Sequence, residues 1–252
     1  MGGGTYHVAA GRRPGPQSPL AAAREAGLVR HDGPMRGFLQ VEVTTARQAR
    51  RATAEDVDRL VVVKEHDFGL GSPAPDDVAE IRAATTVDLR VLLRLRAGFG
   101  TDGGEITRLR GLIWSYLEAG ADGFQFGFLN DLGQLDVPVL TALGAEGDWP
   151  WTCDRVIDSA FDPAAAWAAV VGLPRLDGVL TAGSARDLAH GLDHLLDLVA
   201  DPVARSLVIA AGPTADQLPW LTRAGVRRFD LGLMGPALDT DRIASWRRLV
   251  PA

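Results

Sequence analysis

From residue 37 to the end of the chain, short apolar runs alternate with segments of helical spacing, eight times over, and this repeat limits the fold more tightly than any other feature. The runs lie at 38–43, 60–63, 89–95, 124–128, 149–153, 178–181, 207–211 and 228–231. They are short enough for strands and too continuously apolar for a sheet with one wet face, so they predict buried parallel strands. Segments near 46–53, 76–84, 105–119, 137–143, 163–171, 185–199, 215–223 and 241–249 carry the helical pattern between and after them. Three junctions share one form: Ala119-Gly120-Ala121-Asp122-Gly123-Phe124, Leu173-Pro174-Arg175-Leu176-Asp177-Gly178-Val179 and Ala224-Gly225-Val226-Arg227-Arg228-Phe229. Each ends a helix at glycine or proline and enters a strand within a few residues. Eight such units predict an α/β protein of the (β/α)8 TIM-barrel class, one domain over 37–252. An open doubly wound sheet would use fewer strands and a glycine-rich dinucleotide loop. No GxGxxG follows the first run, and GxxxxGK[ST], HExxH and GxSxG are absent.

Residues 1–36 break this pattern: seven glycines, four prolines and five arginines against two acids, with helical spacing only near 20–28, read as a flexible extension or a basic arm for a partner. No run of about 18 apolar residues occurs and the start lacks a secretory pattern, which together predict a cytoplasmic protein without a membrane partner. The net charge of −6 argues against nucleic acid. One cysteine, Cys153, excludes an intrachain disulfide and any multi-cysteine zinc site. A small molecule or a metal is the expected ligand, and a homo-oligomer is allowed.

In a barrel the chemistry sits at the carboxyl ends of the strands. Gln40 and Glu42 share one face of the first strand, and a carboxylate in an apolar strand carries a desolvation cost that marks it as functional. The second strand ends in Lys64-Glu65-His66-Asp67; the only lysine suggests a Schiff base, against a side chain turned outward. Arg94 and Arg96, at i and i+2 before a glycine-rich loop, suit bidentate binding of a carboxylate or phosphate, or a structural ion pair with Glu42 or Asp154. Gln125, Asp154, Arg155, Thr181, Gly212 and Asp230 close the circle, with Gly212 and Gly232 where many barrels bind phosphate through loop amides. His190 and His194 could share a metal, but their helix should lie outside the barrel.

These strand ends resemble the CutC family from Phe38 to about Leu233. Asp58-Arg59-Leu60 with Gly69-Leu70 looks like the family's second strand and loop, and Arg94-Leu95-Arg96 looks like its Arg-Pro-Arg. Gly127-Phe128-Leu129 with Gly133-Gln134-Leu135-Asp136 is similar to its Gly-x-Leu and Asp-Gly-x-hydrophobic-Asp segments. Asp154-Arg155-Val156-Ile157-Asp158 stands where the family has His-Arg-Ala-Phe-Asp, and Leu180-Thr181-Ala182-Gly183 where it has Leu-Thr-Ser-Gly. The resemblance implies a TIM barrel and copper homeostasis. It also exposes departures: Asp154 and Asp230 stand where the family has histidines, Gln40 where it has an early glutamate, and Glu42 and Val63 where many members have cysteines.

Three readings follow. As a copper-binding protein the chain would rely on Cys153 and His66, since Cu(I) prefers soft ligands. As an enzyme it would use Glu42, Asp154 and Asp230 as acid/base groups or as oxygen ligands for Mg²⁺ or Mn²⁺, with Arg94, Arg96, Arg155, Gln125, Thr181 and Gly212 holding an anionic substrate. As a scaffold it would keep the mouth charges only as ion pairs.

Overall fold

The computed structural model describes residues 37–250, so the expectation for residues 1–36 lies outside the described residues. Eight parallel strands close into a barrel: β1 (Phe38–Val43), β2 (Arg59–Val62), β5 (Asp88–Leu92), β6 (Gly123–Phe126), β7 (Trp151–Cys153), β8 (Leu176–Thr181), β9 (Val208–Ala211) and β10 (Arg228–Leu233). Each strand pairs with its neighbour in sequence, and β1 closes against β10 through Phe38 opposite Arg228 and Gln40 opposite Asp230. The predicted eight-unit barrel is thus the fold.

The helices among the described residues are α1 (Ala46–Ala54), α2 (Pro75–Arg82), α3 (Gly103–Glu118), α4 (Val137–Gly144), α5 (Pro163–Val170), α6 (Leu188–Leu198), α7 (Pro202–Leu207), α8 (Leu218–Arg223) and α9 (Thr240–Leu249), with a 3₁₀ turn at Arg155–Ser159. Their starts are written in the sequence: Thr45, Asp102, Asp136, Asp162, Asp187, Asp201 and Asp239 each accept a hydrogen bond from a backbone N–H of the first turn. None of the described helices is long and apolar enough to cross a membrane.

Period-two alternation sorts the strand residues between two environments. Leu39, Val41, Leu60, Val62, Leu89, Val91, Phe124, Phe126 and Phe229 belong to the apolar shell packed under the helices. Phe126 stacks on Trp151 at 4.5 Å and Phe124 meets Trp149 edge-on at 4.6 Å. One helix packs so closely on a loop that its glycine is obligatory: a methyl on Gly191 of α6 would overlap the Ala182 carbonyl and the backbone of Gly183. Gly191→Ala is expected to lose about 1–3 kcal/mol despite its better helix propensity, a cost that urea unfolding would measure.

Two expectations are corrected locally. The third barrel strand stops at Leu92 rather than reaching Leu95, because Ser72 draws the chain outward: its N–H donates to the Arg94 carbonyl and its hydroxyl accepts from the Arg94 N–H. The titratable run after the second strand is a β-hairpin, β3 (Lys64–His66) against antiparallel β4 (Gly69–Gly71), standing above the barrel mouth.

The barrel interior is charged at its amino-terminal end. Arg59 donates to Asp88 (2.7 Å), Asp177 (2.8 Å) and Thr152 (3.1 Å), while Arg90 donates to Asp88 (2.7 Å) and Asp177 (2.8 Å). Buried Arg228 donates to the carbonyls of Asp177 and Leu207, and the Phe38 ring lies 5.0 Å from the guanidinium carbons of both Arg59 and Arg228. Salt bridges thus plug this end, and above them Val61, Val63 and Leu92 form a small apolar cluster.

Candidate active site at the barrel mouth

At the carboxyl end of the strands two adjoining cavities, about 220 and 300 Å³, share Glu42, Leu70, Arg155 and Leu180. Arg94, Gln125 and Asp154 line the first, Gly212, Asp187 and Asp230 the second. The hairpin brings Phe68 and Leu70 to the rim, and Phe99 packs 4.3 Å below the Arg94 guanidinium. Sequence reading found the polar floor of this site but not its apolar rim, because hairpin and loop residues carry no strand periodicity.

Glu42 and Asp230 are two buried carboxyls at the mouth. They lie on neighbouring strands β1 and β10, both buried and both facing the interior. Burial, reinforced by the negative charge of Asp230, pushes the Glu42 carboxyl up to about 8, so it holds a proton at neutral pH. Burial also lifts Asp230, to about 6, against hydrogen bonds from the Gln40 side chain and the Gly232 backbone N–H that favour its ionised form. One acid and one base therefore stand side by side near pH 7, the arrangement that proton transfer requires.

Arg94 pairs with Asp154 across the mouth, and Asp154 also accepts from the Val156 N–H at 2.9 Å. Burial raises the Asp154 carboxyl above its ordinary value, with Arg94 opposing. Gly127 is required beneath this pair, since a methyl there would overlap the Asp154 carboxylate and Val156. The Nε of Arg94 is buried and has no hydrogen-bond partner among the described residues. Arg155 lines both cavities while donating to Asp158 at 3.0 Å and to the Ser184 carbonyl at 2.9 Å.

Other predicted residues go elsewhere. Arg96 turns away from Arg94 and is clasped by Asp102 and Glu105 at the start of α3, half-exposed. The Thr181 hydroxyl donates to Asp158 at 2.5 Å, which ties it to a side cavity with Trp167 and His194 rather than to the mouth. Lys64 is exposed on the hairpin, 3.2 Å from Asp77. His66 stacks on Phe68 at 4.7 Å with its Nε2 3.1 Å from the Ser72 carbonyl oxygen. Cys153 is fully buried in the shell under the helices, on the opposite parity to Thr152, and burial holds its thiol well above the usual range. His190 and His194 lie on the exposed side of α6, and His190 bonds Asp187 at 2.6 Å. No group of three or more His, Cys, Asp or Glu among the described residues is placed to hold a metal.

Fold and mouth together define the class: a TIM barrel whose carboxyl-end cavities hold two buried carboxyls and an arginine. The CutC family model matches residues 38–234, and the chain belongs to the CutC family. A CutC family protein of Xanthomonas campestris is 31% identical over 202 residues, covering 79% of this chain and 84% of its own length. One from Klebsiella pneumoniae is 28% identical over 186 residues, 72% and 73% of the two chains. The crystal structure of a CutC from Streptococcus agalactiae, whose name provisionally assigns it to copper homeostasis, superposes with a TM-score of 0.68 at 18% identity, covering 78% of this chain and 98% of that one. At that identity the likeness bears on fold alone.

Proposed function

We propose that this CutC-family barrel serves copper homeostasis, the role its family relationship supports, through a small oxygen-bearing ligand at the barrel mouth rather than through a thiolate copper site. One observation carries the ligand reading: the buried, unpartnered Nε of Arg94 beside a cavity that Glu42 also lines. A buried donor without an acceptor costs about 1–3 kcal/mol, which the oxygen of a bound ligand would recover. Protonated Glu42 supplies a second donor to the same space and ionised Asp230 a base, so the chemistry supported is proton transfer on the bound ligand. Arg94 is balanced by Asp154 and Arg155 by Asp158, which suits a carboxylate monoanion or a carbonyl better than a polyanion.

The donor set fits copper poorly. Cys153 faces away from the mouth, and His66 is engaged with Phe68 and Ser72 on the hairpin. The carboxylates would suit Mg²⁺ or Mn²⁺ better, yet of Glu42, Asp154 and Asp230 the second is already tied to Arg94.

Pyruvate titrated into protein with ¹⁵N-labelled arginine is expected to shift the Arg94 Nε resonance, with no such response in Arg94→Lys. An unmoved Arg94 signal at tens of millimolar pyruvate would overturn the ligand reading. In an anaerobic competition against a chromophoric Cu(I) chelator, the double variant Cys153→Ala, His66→Ala is expected to match the parent within about twofold. Loss of a stoichiometric site in that variant would restore direct copper binding.

A further inference from the structure

We propose that Gln40, a residue outside the acid/base set, is a positioning residue that decides which of the two mouth acids carries their shared proton, keeping Asp230 the base and Glu42 the acid. The inference deepens the proton-transfer reading above and rests on it for its chemical meaning. Gln40 and Glu42 sit at i and i+2 on the interior face of β1. The Gln40 side-chain nitrogen donates to Gln125 Oε1 at 3.2 Å and to Asp230 Oδ1 at 3.1 Å, so both of its protons are committed. Gln125 fixes the orientation: turned over, the Gln40 amide would set its oxygen against both the Gln125 oxygen and the Asp230 carboxylate.

The result is an asymmetry between two otherwise similar acids. Among the described residues Asp230 receives N–H donors from Gln40 and Gly232, whereas Glu42 receives only the backbone N–H of Leu233. Donors of this kind favour the ionised form, so the proton of the pair rests on Glu42. Of the remaining charges around the pair, Arg155 also favours ionised Asp230, but by less than the Gln40 hydrogen bond does. Arg94 and Asp154 face Glu42 as a mutually neutralised pair, and Arg155, itself paired with Asp158, faces Asp230. Asp187 enters the second cavity from the loop before α6. Strands β2, β6, β8 and β9 present Val61, Gln125, Leu180 and Ala211, none of them charged.

The arrangement has a cost that points to use. Gln40 Oε1 is buried with no hydrogen-bond partner among the described residues. A leucine of similar volume would fill the position without that orphan.

The test is a ¹³C carboxyl titration of Glu42 and Asp230 in the full chain. In the parent protein Asp230 is expected to ionise first and Glu42 last. In Gln40→Leu, and again in Gln125→Leu where Gln40 loses its anchor, the proton-occupancy ratio of the two acids should move at least tenfold toward Asp230. Two well-folded variants with unchanged order and spacing would overturn the proposal; if Gln40→Leu fails to fold, Gln125→Leu decides alone. The pyruvate titration separates the two readings. A silent Arg94 resonance with a changed titration order removes the ligand and leaves the positioning role, and the converse removes only the role of Gln40.

Discussion

Replacing Asp177 by alanine is expected to destabilise the protein by about 3–5 kcal/mol, as large an effect as any single polar substitution should have here. Asp177 accepts from Arg59 and Arg90, both at 2.8 Å, and from the Thr152 hydroxyl at 2.8 Å. Without it, three buried guanidiniums would be left with Asp88 as the one carboxylate among the described residues bonded to any of them. Breaking such a network is costly because the remaining charges stay buried without compensation, even though the intact network contributes little net stability. Asp177→Asn should fall between parent and alanine, since an amide keeps the shape but gives up the charge. Urea unfolding of the three proteins would rank them, and a loss below about 1 kcal/mol for alanine would show that water replaces the carboxylate. The same residues set an acid limit. Despite burial, their arginine partners hold the Asp88 and Asp177 carboxyls below the ordinary carboxylate value. Their contribution is therefore complete above the unfolded-state value near 4 and is lost as the pH falls through the lower folded values.

This plug was the part of the barrel least legible in the sequence. Arg90 and Arg228 sit in runs that read as apolar strands and Arg59 just before one, and in a chain with 25 arginines and one lysine an arginine carries little signal of its own. Their burial depends on which strand ends meet at the barrel floor, a contact set by closure rather than by local pattern. The eight strands were legible because each must bury both faces, one against the helices and one inside the barrel, and that demand writes continuous apolar runs into the chain. Glu42 stood out for the same reason, as a carboxylate where the pattern calls for an apolar side chain, and Asp230 by its place at a strand end. Arg96 misled, because the alternation that places it beside Arg94 ends with the strand at Leu92, after which Asp102 and Glu105 decide where its side chain goes. The hydrogen-bond partners of Gln40 could not be read from sequence. They lie 85 and 190 residues away.

The second large effect has the opposite sign: Glu42→Gln is expected to stabilise the protein in alkaline solution while removing its acid. In the folded chain burial and the Asp230 charge raise the Glu42 carboxyl from 4.5 to about 8. Between those values the folded state holds a proton that the unfolded state has released, so stability falls as the pH rises and levels off above about 8. A glutamine cannot ionise and escapes this loss. At pH 9 the variant should be more stable than the parent by on the order of 3 kcal/mol, a gap that closes toward pH 4. Urea unfolding at pH 5 and pH 9 gives the comparison directly. Pyruvate should still shift the Arg94 Nε resonance in this variant, because the amide retains a donor where the protonated acid had one. A gain in stability with binding intact would mark Glu42 as a residue kept for chemistry at the expense of folding, as functional sites commonly are. An equal loss of stability at both pH values would instead place Glu42 with the Asp177 network, as a charge the fold itself requires.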